Sequence, residues 1–139
     1  MNTDRAERIR APGVPELGPG SLSNCKRVGR HVYISGMVAW GEGQKPLGGN
    51  SAYQQAQIVF GYIRSLMEAA GGCMDDVVKI TMFTTDMRHQ PDIWKARREA
   101  FSGDFPCSTL VCVSQLFLPE LVIEIEAVGF VGSSGGAGP

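Results

Sequence analysis

The sequence predicts a single α+β domain in which two helices cover one face of a mixed sheet. Three observations carry this expectation: a long apolar stripe at helical spacing through residues 52–70, a strictly alternating segment through 121–130, and short β-branched runs between the helical segments. The length of 139 residues suits one such domain.

The elements follow in chain order. Residues 1–20 hold Pro12, Pro15, Pro19, Gly13, Gly18 and Gly20, so they are expected to form a mobile arm without a long element. Cys25–Val28 and His31–Ser35 flank Gly29-Arg30, which reads as a β-hairpin closed by a short turn. Trp40–Asn50, with four glycines and Pro46, reads as a loop. Ser51 and Gln54 then make an S-x-x-Q capping box, in which hydroxyl and amide each satisfy an orphan backbone N–H. Ala52, Ala56, Val59, Phe60, Ile63, Met67 and Ala70 form the helical stripe, and Gly71-Gly72 stops it with residues free to adopt positive φ. Asp76–Thr85 is β-branched and predicts a largely buried strand. Pro91 suits the first turn of a second helix through Ile93, Trp94, Arg97, Ala100 and Phe101, ended by Ser102-Gly103. Ser108–Val113 is a third strand region. In Leu121–Phe130, Leu121, Ile123, Ile125 and Ala127 share one face, and Val122, Glu124, Glu126 and Val128 share the other. The order is β-β-α-β-α-β-β over residues 21–131, followed by a Gly/Ser-rich tail, 132–139, expected to be disordered. Two helices leave the second face of the sheet open, and its mixture of valines and glutamates suits the interface of a symmetric oligomer.

Composition excludes several classes. Lys and Arg number 13 against 14 Asp and Glu, and no basic run is longer than the pairs Lys26-Arg27 and Arg97–Arg98, so there is no basic stripe for nucleic acid and no polybasic membrane anchor. No apolar run reaches the ~20 residues of a membrane helix, and Met1–Leu17 lacks the apolar centre of a signal peptide, which points to a cytoplasmic protein. Cys25, Cys73, Cys107 and Cys112 form no C-x-x-C pair, so no metal site is expected; reduced, packed thiols are the plainer reading.

The alternation places Glu124 and Glu126 ~7 Å apart on one face, close enough to raise each other's pKa where water is excluded. Such a carboxylate can position a water or shuttle a proton, although solvation or ion pairing would account for both residues equally well. Cys107, after Pro106 at the start of a strand, is either a nucleophile needing a nearby cation or a packed thiol. His31 and His89 read as surface residues, and the Ser35 hydroxyl either meets a ligand or ends its strand. No triad, P-loop or dinucleotide fingerprint is present, so no cofactor is expected.

Several phrases, taken in order, resemble the RidA (YjgF) family. These are Val32-Tyr-Ile-Ser-Gly36, Met67-Glu-Ala-Ala-Gly71, Asp75-Asp-Val-Val-Lys-Ile-Thr-Met-Phe83, Arg98-Glu-Ala-Phe101, Phe105-Pro106 and Ile123-Glu-Ile-Glu-Ala127, which span roughly 22–131. The resemblance implies a chorismate-mutase-like subunit, assembly as a homotrimer, and clefts between subunits. Deaminase members hydrolyse small 2-enamino or 2-imino acids in those clefts to 2-oxo acids and ammonia. Their arginine, following Pro or Pro-Ala before the third main strand, clamps the substrate carboxylate through two-pronged pairing, and a glutamate in the last strand positions the water. The resemblance makes Glu124 that glutamate and Ser35 the strand-end serine. It puts Cys107 at the arginine position, Leu22 at a tyrosine position, Lys95 at a helix asparagine and Met37 at a glutamine, so four of six cleft positions are changed.

The expected function is thus a divergent enamine/imine hydrolase acting on a small metabolite other than a simple 2-imino acid. Glu124 would be catalytic, and Cys107, Ser35, Lys95, Leu22, Met37 and Trp94 would line the substrate cleft. Leu22, Met37, Trp94 and Cys107 make that cleft more apolar, and Lys95 would return a positive charge. The alternative is a non-catalytic trimer that binds a small metabolite; the sequence leaves open whether there is turnover. Although some family members are called ribonucleases, the near-neutral charge gives no physical reason to extend that activity here.

Overall fold

The stripe predicted over 52–70 folds as helix α1, Ala52–Ala69, and every stripe residue named above is buried. This is a computed structural model, and it describes residues 5–135. Half of the predicted capping box forms. The Ser51 hydroxyl accepts from the Gln54 backbone N–H at 3.1 Å, while the Ser51 N–H donates to the Gly48 carbonyl at 3.2 Å. Gly71, at φ +93°, ends the helix in the left-handed conformation that its Cβ-free backbone permits.

The strands are β1 (Glu7–Ile9), β2 (Cys25–Val28), β3 (His31–Val38), β4 (Val77–Thr84), β5 (Cys107–Cys112) and β6 (Ile123–Phe130), and the second helix is α2 (Gln90–Ala100). They form one mixed sheet in the order β1-β2-β3-β6-β4-β5, in which only β4 and β5 run parallel. Helix α1 packs on β3 and β6, and α2 packs on α1, with Phe60 and Phe101 meeting edge to face at 5.7 Å. The alternation read from the last strand holds: Ile123, Ile125 and Ala127 are buried, whereas Glu124 and Val128 are partly and Glu126 largely exposed. Among the described residues no helix is long and apolar enough to cross a membrane.

The N-terminal arm differs from its expectation. Glu7–Ile9 pairs with Cys25–Arg27 as β1, and Ala11 and Val14 enter the core. Residues 1–4 lie outside the described part of the chain. At the other end, residues 132–135 of the expected disordered tail form a turn, and residues 136–139 lie outside the described residues.

That turn is anchored by Asp76, a buried carboxylate that accepts from the backbone N–H groups of Cys73 (3.1 Å), Gly132 (3.0 Å) and Ser134 (2.9 Å) and from the Ser134 hydroxyl (2.7 Å). Burial alone would push this carboxyl up, but the four donors outweigh it and hold its pKa at about 2, below the ordinary 3.8. Because the folded pKa is depressed, the stabilisation is present above the unfolded value and disappears as pH falls through about 2. Asp76→Ala should therefore lower unfolding free energy by about 3 kcal/mol at neutral pH. Urea denaturation followed by circular dichroism should show that difference shrinking as pH drops from 4 toward 2.

Candidate active site

Strands β3 and β6 pair in register from His31↔Phe130 to Ile34↔Ala127, and pairing resumes at Met37↔Ile125. Three residues of β3 thus span two of β6, so one extra residue forms a β-bulge at Ser35-Gly36. Beyond it, Val38 pairs with Glu124. The Glu124 side chain lies directly on Gly36: a Cβ built there would sit 2.4 Å from Oε2 and 2.8 Å from Cδ. Only glycine leaves room for the carboxylate in this position.

Glu124 forms part of a hollow of about 250 Å³ whose lining includes Leu22, Asn24, Met37, Trp40 and Phe117. Trp40 and Phe117 meet edge to face at 5.7 Å, and the Tyr62 hydroxyl fixes the Trp40 carbonyl at 2.6 Å. Phe117 remains 69% exposed and Leu22 46%. Asn24 is buried and donates to the Pro15 carbonyl and to Glu16, at 2.8 and 3.0 Å, which folds the N-terminal arm against the hollow. From the far side, buried Gln55 donates to the Glu120 carbonyl and accepts from the Val122 N–H, setting the start of β6.

The Glu124 carboxyl is half-buried and accepts no hydrogen bond from the described residues. Burial raises its pKa above the ordinary value of 4.5, and the neighbouring Glu126 adds a second upward push. Glu126 itself faces a shallow depression on the open side of the sheet beside Tyr33, Lys79, Thr81 and Val128. A weakly solvated carboxylate on a mostly apolar floor suits proton transfer to or from a bound water.

The hollow gathers three of the seven predicted site residues: Glu124, Leu22 and Met37. Within one chain the other four lie elsewhere. The Ser35 hydroxyl donates to the Ser23 carbonyl at 2.6 Å, tying residue 23 to β3. Cys107 is exposed and belongs to a separate hollow of about 570 Å³ with Cys73, Asp75, Phe105 and Pro106. Lys95 turns onto Tyr53 of α1, its Nζ 4.4 Å from the ring centroid. Trp94 instead lies under the Arg97 guanidinium, 4.8 Å from its centroid. Trp40 and Phe117 are lining residues that the sequence reading missed; both sit in aperiodic loops, where only their size and aromatic character could have marked them. Among the described residues no group of three or more His, Cys, Asp or Glu is placed to hold a metal ion.

Comparison with known proteins agrees with this geometry. A family model described as Endoribonuclease L-PSP matches residues 18–131. A 2-iminobutanoate/2-iminopropanoate deaminase from Dermatophagoides farinae is 30% identical over 122 residues, covering 86% of this chain and 92% of that protein. Among solved structures, a protein of unknown function from Pseudomonas aeruginosa is 38% identical with a TM-score of 0.81, covering 91% of this chain and 93% of that one. RidA from an Antarctic Psychrobacter is 30% identical with a TM-score of 0.80, covering 90% and 99%. A family match across most of the chain, joined to the six-stranded sheet and the glutamate of its central strand, establishes that this chain belongs to the RidA (YjgF) family.

Proposed function

We propose that the chain is an enamine/imine hydrolase that releases ammonia, with Glu124 as its water-handling carboxylate and the apolar part of its substrate seated among Leu22, Met37, Trp40 and Phe117. The observation that carries this reading is the Glu124 carboxyl, which lies on Gly36, without a protein donor, at the edge of an apolar hollow. Family membership and the deaminase relative supply the reaction class. An enamine first takes a proton at carbon and gives one up from nitrogen to solvent, becoming the imine. Glu124 then removes a proton from water as the water oxygen bonds to the imine carbon and the C=N π pair moves to nitrogen. The proton passes to nitrogen, the C–N bond breaks as the hydroxyl loses its proton, and the products are a carbonyl compound and ammonia. The walls favour a substrate with a larger apolar group than a short 2-imino acid carries.

A homotrimer is part of the same proposal. Tyr33, Thr81, Val128 and the exposed edge strand β5, with Val111 outward, leave an open face that is partly apolar, and such faces and edges are normally covered.

Three variants test the reading. In Glu124→Gln, ammonia release from a panel of enamines generated in situ should fall by about 100-fold or more. Its thermal midpoint at neutral pH should hold or rise, because the ionised carboxyl is disfavoured in the folded state. Saturable ligand binding by the wild type with no ammonia from any panel member would instead favour a binding protein. Activity should climb with pH through the raised Glu124 pKa. Glu126→Gln, by removing one upward push, should move that limb of the kcat/KM profile to lower pH. Gly36→Ala should displace the carboxylate and cut kcat by about tenfold or more while the circular dichroism spectrum stays unchanged.

A further inference from the structure

The Glu124 hollow contains one charge and no counter-ion. Of the described residues that line it, Glu124 alone is charged, and none is Lys, Arg or His. The ion pairs among the described residues, Arg8–Glu16 and Arg88–Asp86, leave Glu124 out. Arg8 reaches the rim, where its Nη2 donates to the Leu22 carbonyl at 2.9 Å, but the same nitrogen is paired with Glu16 at 2.9 Å. Asn24 has no proton to spare, because its amide nitrogen donates to the Pro15 carbonyl and to Glu16. A ligand carboxylate in this hollow would lose water and face a like charge without meeting a cation.

A cation meets the opposite conditions. Glu124 is half-buried and lacks a protein donor, so a positively charged N–H group restores what burial removed. Trp40 and Phe117 meet edge to face at 5.7 Å, and in such a pair the ring that contributes its edge keeps both faces clear of the other ring. Those faces carry negative potential and attract cations. Phe117 is largely exposed, so its ring is open to a ligand at the mouth of the hollow. Gln44 also lines the hollow, and its amide oxygen is a further acceptor for an N–H. A second hollow of about 190 Å³ adjoins the first and shares Pro15, Leu17, Trp40 and Gln44 with it, which gives a ring-bearing side group room beyond Trp40.

We infer that the Glu124 hollow takes a cationic substrate without a carboxylate, the iminium of an arylalkyl aldehyde, with its nitrogen beside Glu124 and its ring against Trp40 and Phe117. This inference rests on the hydrolase reading for the reaction, and on the charges and rings of the hollow for the substrate class. Glu124 takes a proton from water as the water oxygen bonds to the iminium carbon, and the C=N π pair moves to nitrogen, which discharges the cation. The nitrogen then takes that proton from Glu124. The C–N bond breaks as the hydroxyl loses its proton, giving the aldehyde, ammonia and the released proton. Two-electron oxidation of a primary arylalkylamine yields such an imine, so an amine-oxidising reaction would supply it.

Binding is read by calorimetry at neutral pH with ligands of similar shape and different charge: 2-phenylethylammonium, 2-phenylethanol and phenylacetate. The ammonium should bind saturably and about tenfold or more tighter than the alcohol, and phenylacetate should not bind. Glu124→Gln should bring the ammonium down to the affinity of the alcohol. Phe117→Leu should weaken the ammonium more than the alcohol, because only the cation uses the charge distribution of the ring. An ammonium that binds no tighter than the alcohol, or any binding of phenylacetate, overturns the inference. Turnover is compared on two imines with the same side group, made in situ by oxidising 2-phenylethylamine with an amine oxidase and phenylalanine with an amino-acid oxidase. Ammonia release from the first should be accelerated about tenfold or more beyond that from the second, which carries the carboxylate; an equal or reversed preference overturns the inference. If neither imine is hydrolysed faster than in buffer, the hydrolase reading falls, while the calorimetric series still decides which charge the hollow selects.

Discussion

The β3–β6 ladder and its bulge are what the remaining architecture depends on. Strand β6 lies at the centre of the sheet, between β3 and β4, and its two-residue period sends Ile123, Ile125 and Ala127 under α1. An unbroken ladder would give β3 a single phase from end to end. The extra residue at Ser35-Gly36 resets that phase, so Met37 joins the core beside Ile125 after Ile34 has already joined it beside Ala127. The same bulge offers bare backbone at Gly36, and the Glu124 carboxylate occupies that space. A packing requirement and a chemical requirement therefore meet in one local irregularity, and neither can be changed without disturbing the other.

Two carboxylates show how the fold assigns opposite tasks to one functional group. Asp76 is buried with four donors aimed at it, which hold it ionised to about pH 2 and tie the chain's C-terminal turn to the start of β4. Glu124 is half-buried with no such donors and with a like charge nearby, so its proton is held more tightly than usual. The first environment binds the charge and gains stability. The second leaves the charge under-solvated, which costs stability and keeps a proton acceptor ready in an apolar hollow. Buried Gln55 belongs with Asp76: its amide satisfies three backbone groups around residues 49 and 120–122 and so fixes where β6 begins.

Much of the frame was legible in the sequence because it rests on periodicity. The 3.6-residue stripe of α1 and the two-residue alternation of β6 each require a particular partner surface, and both formed as expected. The short strand β1 was not legible, since Glu-Arg-Ile has no period of its own and exists as a strand only because β2 offers a free edge. The bulge was hidden for a related reason: Ser35-Gly36 ends a plausible strand in the sequence, and only pairing with β6 shows that β3 continues to Val38. Of the candidate site, the glutamate was legible through alternation. Its aromatic walls were not, because Trp40 and Phe117 approach each other from loops some seventy-seven positions apart.

The choice of cation shows the same limit on a finer scale. Lys95 and Arg97 are both basic, both on α2, and two residues apart. At 100° per residue they diverge by about 200° around the helix axis, so they cannot serve the same surface. Sequence order alone gives no phase for a short helix whose buried residues are only Ile93 and Ala96. The tertiary structure sets that phase by packing Ile93 and Ala96 inward, which turns Lys95 onto the Tyr53 ring of α1 and Arg97 toward Ser108 at the start of β5. Position 107 lacks a guanidinium, yet one stands beside the next residue of the same strand, delivered from the helix. Phase, not residue type, decides which of the two charges stands at that edge.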